Sequence, residues 1–432
     1  MTKRNVFVFG LNDFNLRMLQ QMRGAEDITF HKLLDRSELV ERMDYPIKEI
    51  LEHARERLRS FHGRVDGMIH YIDFPVSTIV PILAGEFGLR SASLEAVLTC
   101  EHKYWSRVEQ ARSIPGYLPR FAAFDPFDNG ALERLERELG YPFWVKPIKS
   151  FSSYLGFRVA SREDFRQAVS QIRGEISRFA EPFDYLLDQV ILPPEVAGIG
   201  GGHCIAEGII GGRQCTLEGY AFDGEIHVYG VVDSVRHANK SSFGRYQYPS
   251  RLPKRVQDEM RNVARRFMRH IGYDNAPFNI EFFWDAGRDR IWLLEVNTRI
   301  SESHCDLFEK VDGTSSHEVA VDLALGRKPA FRKGAGEFTV AGKFFLRAYG
   351  DARVERVPGP EEVRRIEDAV PGTIIQIQAN PGDRLSDMMD QDSYTYCLAL
   401  LFIGGDSQKD LLEKYRRVEA ALDFRLDQSA AA

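Results

Sequence analysis

Paired cysteines are what this chain most plainly lacks. Cys100, Cys204, Cys215, Cys305 and Cys397 are odd in number, widely scattered and never in C-x-x-C spacing. That excludes a disulfide framework and a structural zinc site, and the expectation is reduced thiols in a cytoplasmic protein. No apolar run approaches the ~18 residues of a membrane span. The opening MTKRNVFVFGLND passes from two basic residues straight into a short strand, without the apolar core of a signal peptide. Charge of one sign is not in excess: the net charge is −6 and the pI about 6.1, which leaves no basic footprint for nucleic acid. Neither G-x-G-x-x-G nor G-x-x-x-x-G-K-[ST] occurs where a phosphate loop would need it, so dinucleotide and P-loop sites are excluded. Internal repeats and low-complexity tracts are also absent.

What is present is an ordinary globular composition over 432 residues, enough for roughly two to four domains. NVFVFG, DITFHKLLD and VDGMIHYID read as strands alternating with amphipathic helices, which argues a parallel sheet over residues 1–92. SLEAVLTCEHKYWSRVEQ reads as one strong helix with Ser93 as its N-cap. YPFWVKPIK, FRVAS and DYLLDQVI read as strands, and the Gly-punctuated segment from Val196 to Val235 as further strands and hairpins. SSFGRYQYPSRLP reads as a long loop beside the site, followed by a helix from Lys254 to His270. The fold class is α/β (α+β), with strands at FTVAGKFFLRAY, PGTIIQIQA and YTYCLALLFIGG in a C-terminal α/β lobe.

The chemistry is expected in FNIEFFWDAGRDRIWLLEVNTRIS, residues 278–301, which reads as a β-hairpin. If Asp285 pairs with Ile291 around a five-residue loop, Glu281 faces Glu295 and Asn279 faces Asn297, all on one face. Like charges directly opposite each other are destabilising, and a chain keeps such a pair when a cation sits between them. Two carboxylates and an amide oxygen are the hard ligands that Mg²⁺ takes, with Glu281, Glu295 and Asn297 as the candidates. Arg299 is placed to hold an anion as it reacts.

FNIEFFWD followed by LLEVNTRIS resembles the metal-binding end of the ATP-grasp superfamily, an acidic residue and then E-x-N-x-R. The continuation NTRISESHCDLFEKVDG is similar to that of biotin carboxylases and of ATP-grasp amino-acid ligases. The resemblance implies an ATP-grasp fold in three parts: a Rossmann-like domain (1–92), an ATP-grasp domain (93–330) with a nucleotide-binding lobe (118–192) and a central antiparallel lobe (193–330), and a C-terminal lobe (331–432). It implies ATP with Mg²⁺ or Mn²⁺ as cofactors, and the pairing of relatives through their outer lobes suggests a homodimer. Lys103 and Lys146 fall where the family places lysines on the α- and β-phosphates, and the loop with Ser152 and Ser153 would cover them. The strand LLDQVI would read adenine through Asp188 and the backbone of Gln189, Val190 and Ile191, with Glu218 near the ribose and phosphates. RHANK resembles a biotin carboxylase segment, so Arg236 and Lys240 would hold the γ-phosphate or the substrate carboxylate.

These parts imply a carboxylate–amine ligase acting on small molecules through an acyl phosphate. A biotin carboxylase-like enzyme and a non-catalytic nucleotide-binding module are the alternatives. The fourth position after Arg299, where biotin carboxylases carry their base, is Ser303, with Glu302 one place early.

Overall fold

The computed structural model describes residues 3–40, 44–150, 154–237, 242–388 and 395–427. Three parallel strands open it: β1 (Arg4–Val8), β2 (Ile28–Lys32) and β3 (Gly67–Ile69), in the order β2-β1-β3. Helices α1 (Asp13–Gln21), α2 (Arg36–Leu39), α3 (Ile47–Ser60) and α4 (Val76–Glu86) join or follow them. α3 shows why the pattern works: Ile47, Ile50, Leu51, Ala54 and Leu58 recur at helical spacing and are the residues it buries.

Ser93 does cap a helix, accepting from the Ala96 amide at 3.1 Å. The single helix expected there is two, α5 (Leu94–Glu101) and α6 (Lys103–Ser113). The break is at His102, whose extended backbone ends the first helix while its side chain caps the second. A four-stranded sheet follows, ordered β4-β7-β5-β6, from β4 (Phe121–Phe124), β5 (Phe143–Pro147), β6 (Phe157–Val159) and β7 (Cys204–Gly208). Helices α7 (Ala131–Glu138) and α8 (Arg162–Glu175) cover it, and α9 (Ser177–Leu187) buries Phe179 and Phe183 against Tyr45 and Phe74 of the N-terminal part.

Two expectations need correcting. DYLLDQVI is not a strand: its first residues belong to α9, which buries Phe179, Phe183, Leu186 and Leu187 at helical spacing. An eight-residue apolar run cannot by itself separate helix from strand. SSFGRYQYPS is not a loop either, because Phe243–Tyr248 forms a strand.

That strand, β10, lies in an eight-stranded sheet with β8 (Arg213–Phe222), β9 (Glu225–Arg236), β11 (Ala276–Asp285) and β12 (Arg290–Asn297). The same sheet continues through β13 (Val340–Ala348), β15 (Thr373–Ile377) and β16 (Tyr396–Gly405), in the order β12-β11-β8-β9-β10-β13-β16-β15. Strands β14 (Arg353–Arg356) and β17 (Arg425–Asp427) pair separately. Helix α10 (Lys254–His270) presents Val256, Met260, Val263, Ala264, Phe267 and Met268 to one core. The apolar half of the alternation on β8, β11 and β12 (Cys215, Leu217, Phe278, Ile280, Phe282, Leu293) packs there, which turns the polar half to the opposite face. Helices α11 (Cys305–Asp312), α12 (Ser316–Ala324), α13 (Pro360–Ala369) and α14 (Gln408–Ala421) complete the chain. The cysteines are free thiols, and among the described residues no helix is long and apolar enough to cross a membrane.

Candidate active site

The hairpin forms, with the expected facing pairs reached by another route. Asp285 pairs with Arg290, not Ile291, so the connecting loop is one residue shorter than expected. A bulge between Glu281 and Phe282 in the register then leaves Leu294 unpaired and restores Glu281↔Glu295 and Asn279↔Asn297. The side chain of Arg107 on α6 holds that bulge, donating to the carbonyls of Leu293 (2.9 Å) and Leu294 (2.8 Å).

Glu281 and Glu295 are half-buried side by side. Burial, and then the neighbouring Glu295, push the Glu281 carboxyl up to about 7, against the opposing pull of a hydrogen bond from Gln214 and of Arg299 and Arg236. A carboxylate pair left at such a cost, flanked by an amide, fits a divalent cation. Asn297 is oriented for this: its Nδ2 donates to Asn279 Oδ1 at 2.9 Å, while Asn279 Nδ2 donates to the Arg299 carbonyl at 3.2 Å. Asn297 Oδ1 is thereby left for a ligand. Among the described residues no cluster of three or more His, Cys, Asp or Glu side chains could hold a metal. Two carboxylates and an amide suit Mg²⁺, which keeps water and phosphate oxygens in its shell.

Three lysines converge on this end of the hairpin. Lys103, at the start of α6, donates to the Ser150 carbonyl at 2.5 Å, and burial lowers its ammonium to about 8 despite the attraction of Glu295. Lys146, near the end of β5, pairs with Glu207 at 2.8 Å. Arg107 takes the other oxygen of Glu207 at 2.6 Å. Burial would raise the Glu207 carboxyl, yet Arg107 and Lys146 hold it down at about 2. The same arginine therefore ties the bulge beneath Glu295 to the acid that positions Lys146. The third lysine, Lys149, is fully buried, pairs with Glu101, and lies 3.8 Å from Asp73 and over the Phe74 ring. Lys149 was within reach of sequence reasoning, one strand turn beyond Lys146 in VKPIK. Glu101, Glu207 and Asp73 carry no local pattern that would single them out.

Arg299 is held from a distant part of the chain: Asp73, in the loop after β3, accepts from its Nη2 at 3.0 Å. Arg236, at the end of β9, reaches the facing carboxylates indirectly, donating to Gln214 Oε1 at 2.7 Å while Gln214 Nε2 donates to Glu281 at 2.8 Å. Glu218 shares the polar face, opposite Asn279. It is fully buried, its carboxyl is raised by burial, and His304 Nδ1 (2.8 Å) and the Tyr229 hydroxyl (3.3 Å) engage it.

Lys240, Ser152 and Ser153 lie outside the described residues. Asp188, Gln189, Val190 and Ile191 are not brought into the site as a strand. Asp188 caps the end of α9, and Asp188, Gln189 and Ile191 are exposed. The strand that leads into the linker between the two sheets is β7, part of the segment read as Gly-punctuated strands, with no local signal to mark it as the one that reaches the linker. The linker, residues 209–212, runs hard against the hairpin: Gly212 has φ +125°, and a Cβ there would meet the Trp284 carbonyl at 2.3 Å.

The family description "ATP-grasp domain" matches residues 139–305. The D-alanine–D-alanine ligase of Synechococcus sp. (strain CC9605) is 29% identical over 169 residues, covering 39% of this chain and 42% of that relative. The chain thus spans less than half the length of the curated relatives it matches first. Among solved structures, the L-amino acid ligase from Bacillus licheniformis superposes with a TM-score of 0.71 at 17% identity, covering 98% of this chain and 99% of that one. The biotin carboxylase domain of the Hydrogenobacter thermophilus 2-oxoglutarate carboxylase, a dimer solved with MgADP, ADP and bicarbonate, gives 0.66 at 14% identity, covering 99% and 92%. Residues 139–305 match the ATP-grasp domain, and the chain as a whole shares the fold of these two solved structures.

Proposed function

We propose that the protein is an ATP- and Mg²⁺-dependent carboxylate–amine ligase. The observation that carries the reading is the facing pair Glu281/Glu295 beside Asn297, with Arg299 next to it and Lys103 and Lys149 converging on the same end of the hairpin. A divalent ion, Mg²⁺ or Mn²⁺, held by Glu281, Glu295 and Asn297 supplies neutralisation of the phosphates.

The remaining roles belong to the chain's own groups. Lys103 and Lys146 hold the α- and β-phosphates, and Arg236 serves the γ-phosphate or the substrate carboxylate; Ser152, Ser153 and Lys240, assigned to the same groups from the sequence, lie outside the described residues. Since residues 188–191 stand at a helix end, the base edge falls to the linker after β7. A substrate carboxylate attacks the γ-phosphorus, giving an acyl phosphate and ADP. An amine then attacks the acyl carbon, phosphate leaves, and an amide forms. Arg299 stabilises the oxyanion, and Asp73 fixes where its guanidinium points.

The biotin carboxylase-like alternative is less well supported. At the position of that family's base the chain has Ser303, which accepts from Lys343 at 2.8 Å, and Glu302 is turned to Asn15 at 2.6 Å. The test is ADP release with ATP, Mg²⁺ and an amino-acid panel, with bicarbonate plus biotin in parallel. ADP release that requires an amino-acid pair supports the ligase. Release that requires bicarbonate and biotin replaces it with the carboxylase, and binding without turnover leaves a non-catalytic module.

A further inference from the structure

Lys343 is a buried ammonium, 7% exposed, in the middle of β13. Among the described residues its polar partner is one neutral hydroxyl, Ser303 Oγ, to which it donates at 2.8 Å. The rings of Phe345 and Phe402 lie 5.3 and 5.2 Å from its Nζ. Glu302, an acid near enough to act on it, spends its carboxylate on the Asn15 amide at 2.6 Å. A hydroxyl and two ring faces ease the burial of a charge but do not neutralise it. Burial accordingly lowers the Lys343 ammonium, with Glu302 opposing and Arg347 reinforcing the shift.

The place matters as much as the charge. Lys343 pairs across the sheet with Tyr246, and the His304 ring stands edge-on to Tyr246 at 5.0 Å. His304 has its Nδ1 fixed by Glu218, while its Nε2 is buried with no hydrogen-bond partner. Ser303 and His304 follow Arg299 on the same loop. An unmatched cation and an unmatched imidazole nitrogen thus flank one tyrosine beside the reacting end of the site.

We infer that Lys343, Ser303 Oγ and His304 Nε2 form a subsite for a second anionic group, carboxylate or phosphate, on the substrate whose reacting carboxyl lies at Arg299. This rests on the ligase reading and narrows it: the substrate is an acidic amino acid or a phosphorylated one, not a neutral one. The anion completes the coordination of Lys343 and gives Nε2 an acceptor when the imidazole carries its proton there.

Binding, which needs no turnover, tests it. With MgADP present, calorimetry compares aspartate with asparagine, glutamate with glutamine, and phosphoserine with serine. At least one acidic member is expected to bind roughly tenfold or more tightly than its neutral counterpart, the scale of a charge-assisted hydrogen bond. The pair that shows the difference identifies the anion. Lys343→Met should collapse the ratio towards one, and Lys343→Arg should keep most of it. A retained thermal shift with MgADP certifies that the variants fold. A ratio near one in the unaltered protein, or an undiminished ratio in Lys343→Met, overturns the subsite. ADP release with a neutral pair would then leave the ligase reading standing. Discrimination without ADP release under any pairing keeps the subsite and removes the ligase.

Discussion

Replacing Glu295 by Gln separates the cost of the facing acids from their use. In the metal-free protein the Glu281 carboxyl sits at about 7 instead of its ordinary 4.5, through burial first and the charge of Glu295 second. A folded state that keeps a proton the unfolded chain has released loses stability as pH rises. The loss begins as pH passes 4.5, is complete above about 7, and totals on the order of 3 kcal/mol at ~1.4 kcal/mol per pH unit. The Glu295 share, two charges across one ladder at an effective dielectric between protein and water, is about 1–2 kcal/mol. Urea midpoints at pH 5 and pH 8, without metal, should therefore converge in Glu295→Gln by that amount relative to the unaltered protein, making the variant the more stable of the two at pH 8. The comparison between the two proteins cancels the titrating groups remote from Glu295, and the attraction that Glu295 gives Lys103 and Lys149, lost in the variant, offsets part of the gain. Addition of Mg²⁺ and ADP should rescue the unaltered protein at pH 8 and do much less for the variant, whose Mg²⁺-dependent ADP release should fall by at least ~100-fold. If the variant were no more stable at pH 8 and turned over normally, the pairing of these two acids around a cation would be wrong.

Three further outcomes are expected. Asp73→Asn removes the charge that holds Arg299; kcat should drop ~10- to 100-fold while ADP affinity, measured by calorimetry, stays within about threefold. Arg107→Met leaves Glu207 with Lys146 alone and strips the donors from the Leu293 and Leu294 carbonyls; urea unfolding should show a loss of about 3–5 kcal/mol, and a loss under 1 kcal/mol would show that the bulge stands without it. Lys103 carries its charge below about 8, so ADP affinity should weaken as pH rises from 8 to 9, and Lys103→Met should flatten that dependence while lowering affinity throughout.

The hairpin was legible because both halves are rich in β-forming residues and a short polar turn separates them. The turn itself was misjudged by one residue, and the register survived because the bulge at Leu294 compensates. No residue type announces a bulge whose support, Arg107, comes from a distant helix. Lys103, Lys146, Glu281, Glu295, Asn297 and Arg299 stand out in the sequence because each sits in a short recognisable run. Asp73 and Glu101 could not, since they meet Arg299, Thr298 and Lys149 only after three separate parts of the chain have packed. The strand reading of DYLLDQVI failed for a different reason: a short apolar run looks like a buried strand, while its first residues continue a helix whose Phe183 and Phe179 lie one and two turns before Leu187. Glu218 was singled out for phosphates and is engaged by a histidine from the loop that follows the hairpin.

The continuity of the eight-stranded sheet across β10 and β13 bears on how the protein can be cut. A version ending near residue 330 would uncover the whole outer side of β10, leaving amides and carbonyls that now bond to β13 open to any passing strand. Such a truncation should yield sticky, self-associating material, not a smaller working enzyme. A nick in the segment before β13, by contrast, should leave the two fragments clasped through their backbones and eluting as one.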